Sequence, residues 1–204
     1  MPVEIGILKL IHILCLVYWL GADLGVFYSS YYLVNEKLSR DTRINVSKIL
    51  FFLDQAPRIS MILIFPSGIH LAKSLGYINI SYSMIISIWL IAISWLILVC
   101  VLHIKGQAVK KLALFDYWLR IMFVLGMSYV FLNIVINQPE YIWAGKKILA
   151  FTITVICGLI IRKKLRLFEP AFVSLIEGKD TAESNQILKM SIASSRPFVV
   201  LIWA

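Results

Sequence analysis

Five long apolar runs, divided by short polar or basic stretches, set the pattern of the chain. They extend from Ile5 to about Val34, Ile59 to about Tyr77, Tyr82 to Ile104, Tyr117 to about Ile136, and Ile142 to Ile161. A helix needs about 20 mostly apolar residues to cross a hydrocarbon core of about 30 Å, and each run meets that standard. The segment 41–54, D-T-R-I-N-V-S-K-I-L-F-F-L-D, is polar first and apolar afterwards, and reads as an amphipathic helix leading into the second span. After the fifth span, Leu165, Phe168, Phe172, Leu175 and Ile176 recur at helical spacing beside Arg162-Lys-Lys-x-x-Arg166. That combination suits a helix lying in an anionic interface, or a plain topological anchor. Residues 187–204 begin another apolar run, but only seven residues follow Arg196-Pro197, too few to cross a bilayer. That sixth helix is expected to be partial and interfacial, or cut short from a longer natural protein. The pattern predicts an all-α fold: a polytopic membrane helix bundle over 1–161, a basic amphipathic segment over 162–186, and the start of a sixth helix over 187–204.

Composition agrees. The 204 residues are 60% hydrophobic and 15% charged, with mean hydropathy +0.86. Soluble domains carry about 25% charge and roughly 45–50% apolar residues, so a soluble enzyme, a nucleic-acid-binding domain and a disordered tail are excluded. The net charge of +9 does not imply a nucleic-acid partner. Sixteen of the 20 Lys and Arg fall in the three segments on one side of the predicted spans, and four (Lys9, Lys73, Lys146, Lys147) on the other. Basic loops stay cytoplasmic, so the expectation is a multi-pass protein of a bacterial-type inner (plasma) membrane, its N-terminus outside. The first run lacks a basic leader and a small-residue cleavage site, and contains His12 and Asp23; it reads as a retained helix. Cys15, Cys100 and Cys157 lie inside apolar runs at no redox or metal-binding spacing. No nucleophile–base motif, phosphate loop or zinc signature occurs in the sequence.

Ionisable side chains within a span are costly and mark function by default. His12 lies about seven residues (roughly 10 Å) below the outer end of span one, and His70 about seven below the outer end of span two. Two imidazoles at one depth on neighbouring antiparallel helices can hold a haem iron from both sides. They also suit copper, and each could instead simply hydrogen-bond an adjacent helix. Trp19 lies deep enough to line such a pocket, or to pack. His103, beside Lys105, reads as interfacial. A second polar layer is expected near the cytoplasmic face, from Asp23, Arg58, Asp116 and Arg120. Asp116 and Arg120 stand at i, i+4 and can pair, and Arg58 or Arg120 is the expected counter-ion of Asp23. The layer reads as a register-fixing salt-bridge network, or as a proton path or carboxylate clamp. Gly21-Ala-Asp-Leu-Gly25 permits close helix approach, and Pro66 should kink span two.

The run Leu8-Lys-Leu-Ile-His12-Ile-Leu-Cys-Leu-Val-Tyr-Trp19-Leu-Gly21 resembles the opening helix of the HemJ-like and CopD-like membrane proteins. Pro57-Arg58 followed by Phe65-Pro66-Ser-Gly68 is similar in layout to that group's second helix. The resemblance covers about the first 80 residues and implies haem b binding at His12. It stops at the third helix, where Ser81–Leu90 has neither the His nor the Lys of the Trp-Leu-His-x-Lys stretch of HemJ-type protoporphyrinogen oxidases. The expectation drawn from residues and resemblance together is a haem b protein with His12 and His70 as axial ligands. It would transfer electrons or oxidise a small membrane-linked molecule, with a quinone or redox protein as partner. The alternatives are a non-catalytic accessory subunit, alone as a homo-oligomer or within a membrane complex, and a metal or small-solute transporter.

Overall fold

The structure, a computed structural model, describes residues 3–105, 109–179 and 181–204. Among these, regular structure is helical throughout. In chain order the helices are α1 (Val3–Leu33), α2 (Arg40–Leu53), α3 (Gln55–Ser74), α4 (Tyr82–Lys105), α5 (Lys110–Asn137), α6 (Ile142–Lys164), α7 (Phe168–Glu177) and α8 (Ala182–Trp203). Five helical stretches are long and apolar enough to cross a membrane, containing α1, α2–α3, α4, α5 and α6–α7. The expected multi-span helical architecture is therefore present. Most large apolar side chains on α4 and α5 point away from the protein, including Ile91, Met122, Tyr129 and Ile136. A water-soluble fold would bury such residues, whereas hydrocarbon solvates them.

The helix ends follow from local chemistry. α3 stops at Ser74, three residues short of the expected end, because Gly76 takes the left-handed conformation (φ 77°). The Gly76 N–H then donates to the Lys73 carbonyl and the Tyr77 N–H to Ala72, closing the last turn. α5 begins at Lys110, seven residues before the apolar run, since Lys and Ala continue a helix readily. α8 begins at Ala182, five residues before the expected start. Thr181 accepts from the Ser184 N–H while the Ser184 hydroxyl accepts from the Thr181 N–H, a reciprocal cap.

The chain forms two units, Met1–Ser29 with Val46–Ala113, and Ser30–Asn45 with Leu114–Ala204. In the first, α3 packs on α4, with Ile62, Ala92 and Val99 buried together and Trp95 and Leu96 against them. α1 presents Leu8, Cys15 and Trp19 as a buried stripe of period close to a helical turn. Trp19 is thus buried in protein, as is Trp95 in part. Of the two glycines in the small-residue motif, Gly25 has Leu53 Cδ1 at 3.0 Å from the place a Cβ would occupy, whereas Gly21 meets nothing. The close approach therefore occurs one turn below the motif's start.

In the second unit α8 packs on α6 and α7. Phe168, Ala171, Phe172 and Leu175 of α7 are buried, as is Leu188 on α8, the helix that packs against α7. The apolar stripe read as a lipid-facing surface is thus mostly covered by protein, and only Ile176 of its helical members is exposed. The first turn of α2 ties this unit together through two arginines. The buried Arg43 donates through Nε to the Leu33 carbonyl (2.8 Å), at the end of α1, and through Nη2 to Asn185 Oδ1 (2.8 Å). Arg40 donates through Nε to the Leu175 carbonyl (2.9 Å) and through Nη2 to that of Ile176, at the end of α7. Helix C-termini carry unpaired carbonyls and partial negative charge, so a guanidinium at each end satisfies both. Lys189 pairs with Glu36, and Arg196 lies 3.5 Å from the centre of the Tyr31 ring.

Candidate functional site

The two histidines lie in the first unit, and each is held by α3 or its neighbours. His12 projects from the buried stripe of α1 onto α3, where its Nδ1 lies 3.1 Å from Ser67 Oγ. Ser67 is fully buried and also donates to the Ile64 carbonyl (3.0 Å). The imidazole fits here because the next residue is Gly68: a Cβ there would stand 2.9 Å from His12 Cε1. The notch left by the missing side chain is filled by one imidazole.

His70 lies three residues beyond Ser67, roughly 4.5 Å further along α3, with different partners. The indole N–H of Trp89 on α4 donates to His70 Nδ1 (3.3 Å), and His70 Nε2 lies 3.4 Å from Glu4 Oε1 on α1. Glu4 also accepts from the Ser74 hydroxyl (3.3 Å). A Trp N–H can only donate, so Nδ1 is the accepting nitrogen and Nε2 is the one on the side of Glu4. The two histidines therefore lie within about a turn in depth, as the run lengths predict, but they engage separate partners.

That geometry bears on haem. Axial ligation by an imidazole needs a nitrogen lone pair directed at the iron. His12 holds one nitrogen against Ser67 Oγ, the kind of outer hydrogen bond that orients a ligating ring. His70 Nδ1 is taken by the Trp89 N–H and its Nε2 lies beside Glu4, so this arrangement does not fit a bis-histidine iron. Among the described residues, no group of three or more His, Cys, Asp or Glu side chains is placed to hold a metal ion.

Each unit holds a charged pair of its own. Arg58 pairs with Asp54, one turn before it on the path from α2 into α3. Its partner is thus a local carboxylate and not the expected Asp23, which lies half-buried on α1. In the second unit Asp116, fully buried, accepts at Oδ2 from Arg120 Nε (3.1 Å) and from Arg162 Nη1 (2.9 Å). The i, i+4 pair matches the expectation, whereas Arg162 on α6 joins it from 46 residues away. One carboxylate thereby ties α5 to α6. Phe123 against Phe151 (5.9 Å between ring centres) and Gly145 against Ile134 continue that seam. His103 is exposed in the last turn of α4, as its place beside Lys105 predicts.

Ser67, Gly68, Glu4 and Trp89 are the partners that sequence reading missed. A signal existed for Gly68, which stands two residues after Pro66 in a helix that has no need of a second breaker. Comparison of the chain with family models, with curated proteins and with solved structures returns no match, so the likeness to HemJ-like and CopD-like proteins rests on the residues quoted for it.

Proposed function

We propose that this chain is a non-catalytic component of a membrane, a helical scaffold or accessory subunit whose intramembrane polar side chains hold helices in register. The observation that carries the reading is the indole N–H of Trp89 donated to His70 Nδ1, with Glu4 beside the other ring nitrogen. His12 on Ser67 and Asp116 between two arginines follow the same pattern. Interhelical hydrogen bonds of this kind contribute about 0.6 kcal/mol each, up to about 2 kcal/mol, enough to fix register without any reaction. On this reading the basic segments stay cytoplasmic and the N-terminus lies outside.

A second reading, haem b bound through His12, is favoured by the His12–Ser67 contact and by the resemblance of the first helix. One measurement separates the two. The scaffold reading expects detergent-purified protein with no Soret band, and His12→Ala and His70→Ala variants that lose thermal stability and nothing else. A Soret band with b-type α bands, abolished by His12→Ala in protein that still folds, overturns the scaffold reading in favour of haem. Copper in stoichiometric amount, lost with the same variant, overturns it in favour of a metal site.

A further inference from the structure

The end of α6 carries a cation cluster of which the helix packing uses a single donor, Arg162 Nη1 on Asp116. Arg162 is the first member. Its Nη1 is fixed at 2.9 Å on Asp116, which is 0% exposed, while the Arg162 side chain is 39% exposed. Among the described residues its Nε and Nη2 meet no protein acceptor. A buried carboxylate thus orients a guanidinium whose remaining donors face outward. Lys163, Lys164 and Arg166 follow at once, all exposed, and none forms an ion pair among the described residues. Leu167 completes the group, 61% exposed in the tight turn between α6 and α7.

Position gives the cluster its meaning. α6 is a membrane-spanning helix, so its final turn lies where hydrocarbon gives way to headgroups. Four cations beside an exposed leucine at that level match a molecule with a negative head and an apolar tail. Arginine forks bind phosphate oxygens in pairs, and flanking lysines add point charge within reach of the same group. A soluble acidic partner would need no leucine, and a zwitterionic lipid would give the cations no net charge to meet. We propose that Arg162, Lys163, Lys164 and Arg166 form a headgroup site for an anionic phospholipid, with Asp116 positioning Arg162 from below.

The test uses the full chain purified in mild detergent. It is titrated with phosphatidylglycerol, with phosphatidylcholine of the same acyl chains, and with inorganic phosphate, and read by native mass spectrometry and thermal shift. Retention of phosphatidylglycerol with a raised melting temperature is expected, without either effect from the other two ligands. Replacing the exposed trio, Lys163→Gln with Lys164→Gln and Arg166→Gln, should weaken phosphatidylglycerol binding roughly 10- to 100-fold. Asp116→Asn removes no cation, yet should also weaken it by loosening Arg162, a readout that simple charge counting would not give. Equal binding of phosphatidylcholine, an equal shift from phosphate alone, or unchanged affinity in the trio variant would overturn the proposal. If Asp116→Asn does not fold, the trio variant decides, because its side chains are solvent-exposed.

Discussion

The notch at Gly68 makes a prediction with a change of sign. Gly68→Ala places a Cβ at 2.9 Å from His12 Cε1 and 3.4 Å from Nδ1. Carbon contacts are comfortable near 3.5–4.0 Å, so the ring must retreat by roughly half an ångström or more while tethered to Ser67. Overpacking of this size costs about 1–3 kcal/mol. Against it, alanine is favoured over glycine within a helix by about 1 kcal/mol, leaving Gly68→Ala destabilising by about 1 kcal/mol. In a His12→Ala background the notch is open and only the helix term remains, so the same substitution should stabilise by about 1 kcal/mol. The coupling between the two sites is then about 1–3 kcal/mol, within the range for residues in contact. Equilibrium unfolding of the four proteins in mixed detergent and SDS micelles measures it. A Gly68→Ala effect of the same sign and size in both backgrounds would show that His12 does not occupy the notch.

Asp116→Ala leaves Arg120 and Arg162 facing each other without their shared carboxylate and should cost about 3–5 kcal/mol, seen as a large drop in melting temperature or loss of folded protein on size-exclusion chromatography. Trp89→Phe keeps an aromatic side chain but removes the donor to His70, and losing that bond should cost about 0.5–1.5 kcal/mol in the same unfolding assay. Gly178 sits at φ 71° with Arg40 Nη1 at 2.8 Å from a would-be Cβ, so Gly178→Ala should destabilise by at least about 1–2 kcal/mol. Gly126→Ala serves as the opposite case: it is mid-helix with nothing within 4 Å, and should stabilise by up to about 1 kcal/mol.

The spans were legible because a run of about 20 apolar residues leaves the backbone no other solution in hydrocarbon. Their ends were less so. The early stop of α3 depends on one glycine at positive φ, and the early start of α8 on Thr181 and Ser184, which lie six and three residues upstream of the apolar run. Partnership was the least legible. Helical spacing identified Asp116 with Arg120, since both lie on one face of one helix. Nothing in a single sequence distinguishes Arg162 from its basic neighbours, or Asp54 from Asp23 as the partner of Arg58. The depth arithmetic for His12 and His70 came within a turn, yet depth says nothing about the direction a ring faces. Likewise the stripe Phe168–Phe172–Leu175 read correctly as amphipathic, but periodicity cannot tell whether lipid or α8 covers it.

The two arginines at the start of α2 have a consequence for biogenesis. Arg40 bonds a carbonyl 135 residues later, and Arg43 an amide 142 residues later. At about 5–20 residues per second, translation takes roughly 7–28 s to deliver those acceptors after the arginines emerge. Throughout that interval the segment between the first two spans waits outside the bilayer, its guanidiniums unmatched, while later helices insert. Completion of the second unit therefore waits for α7 and α8, and a chain halted after α6 should leave 34–45 open to protease.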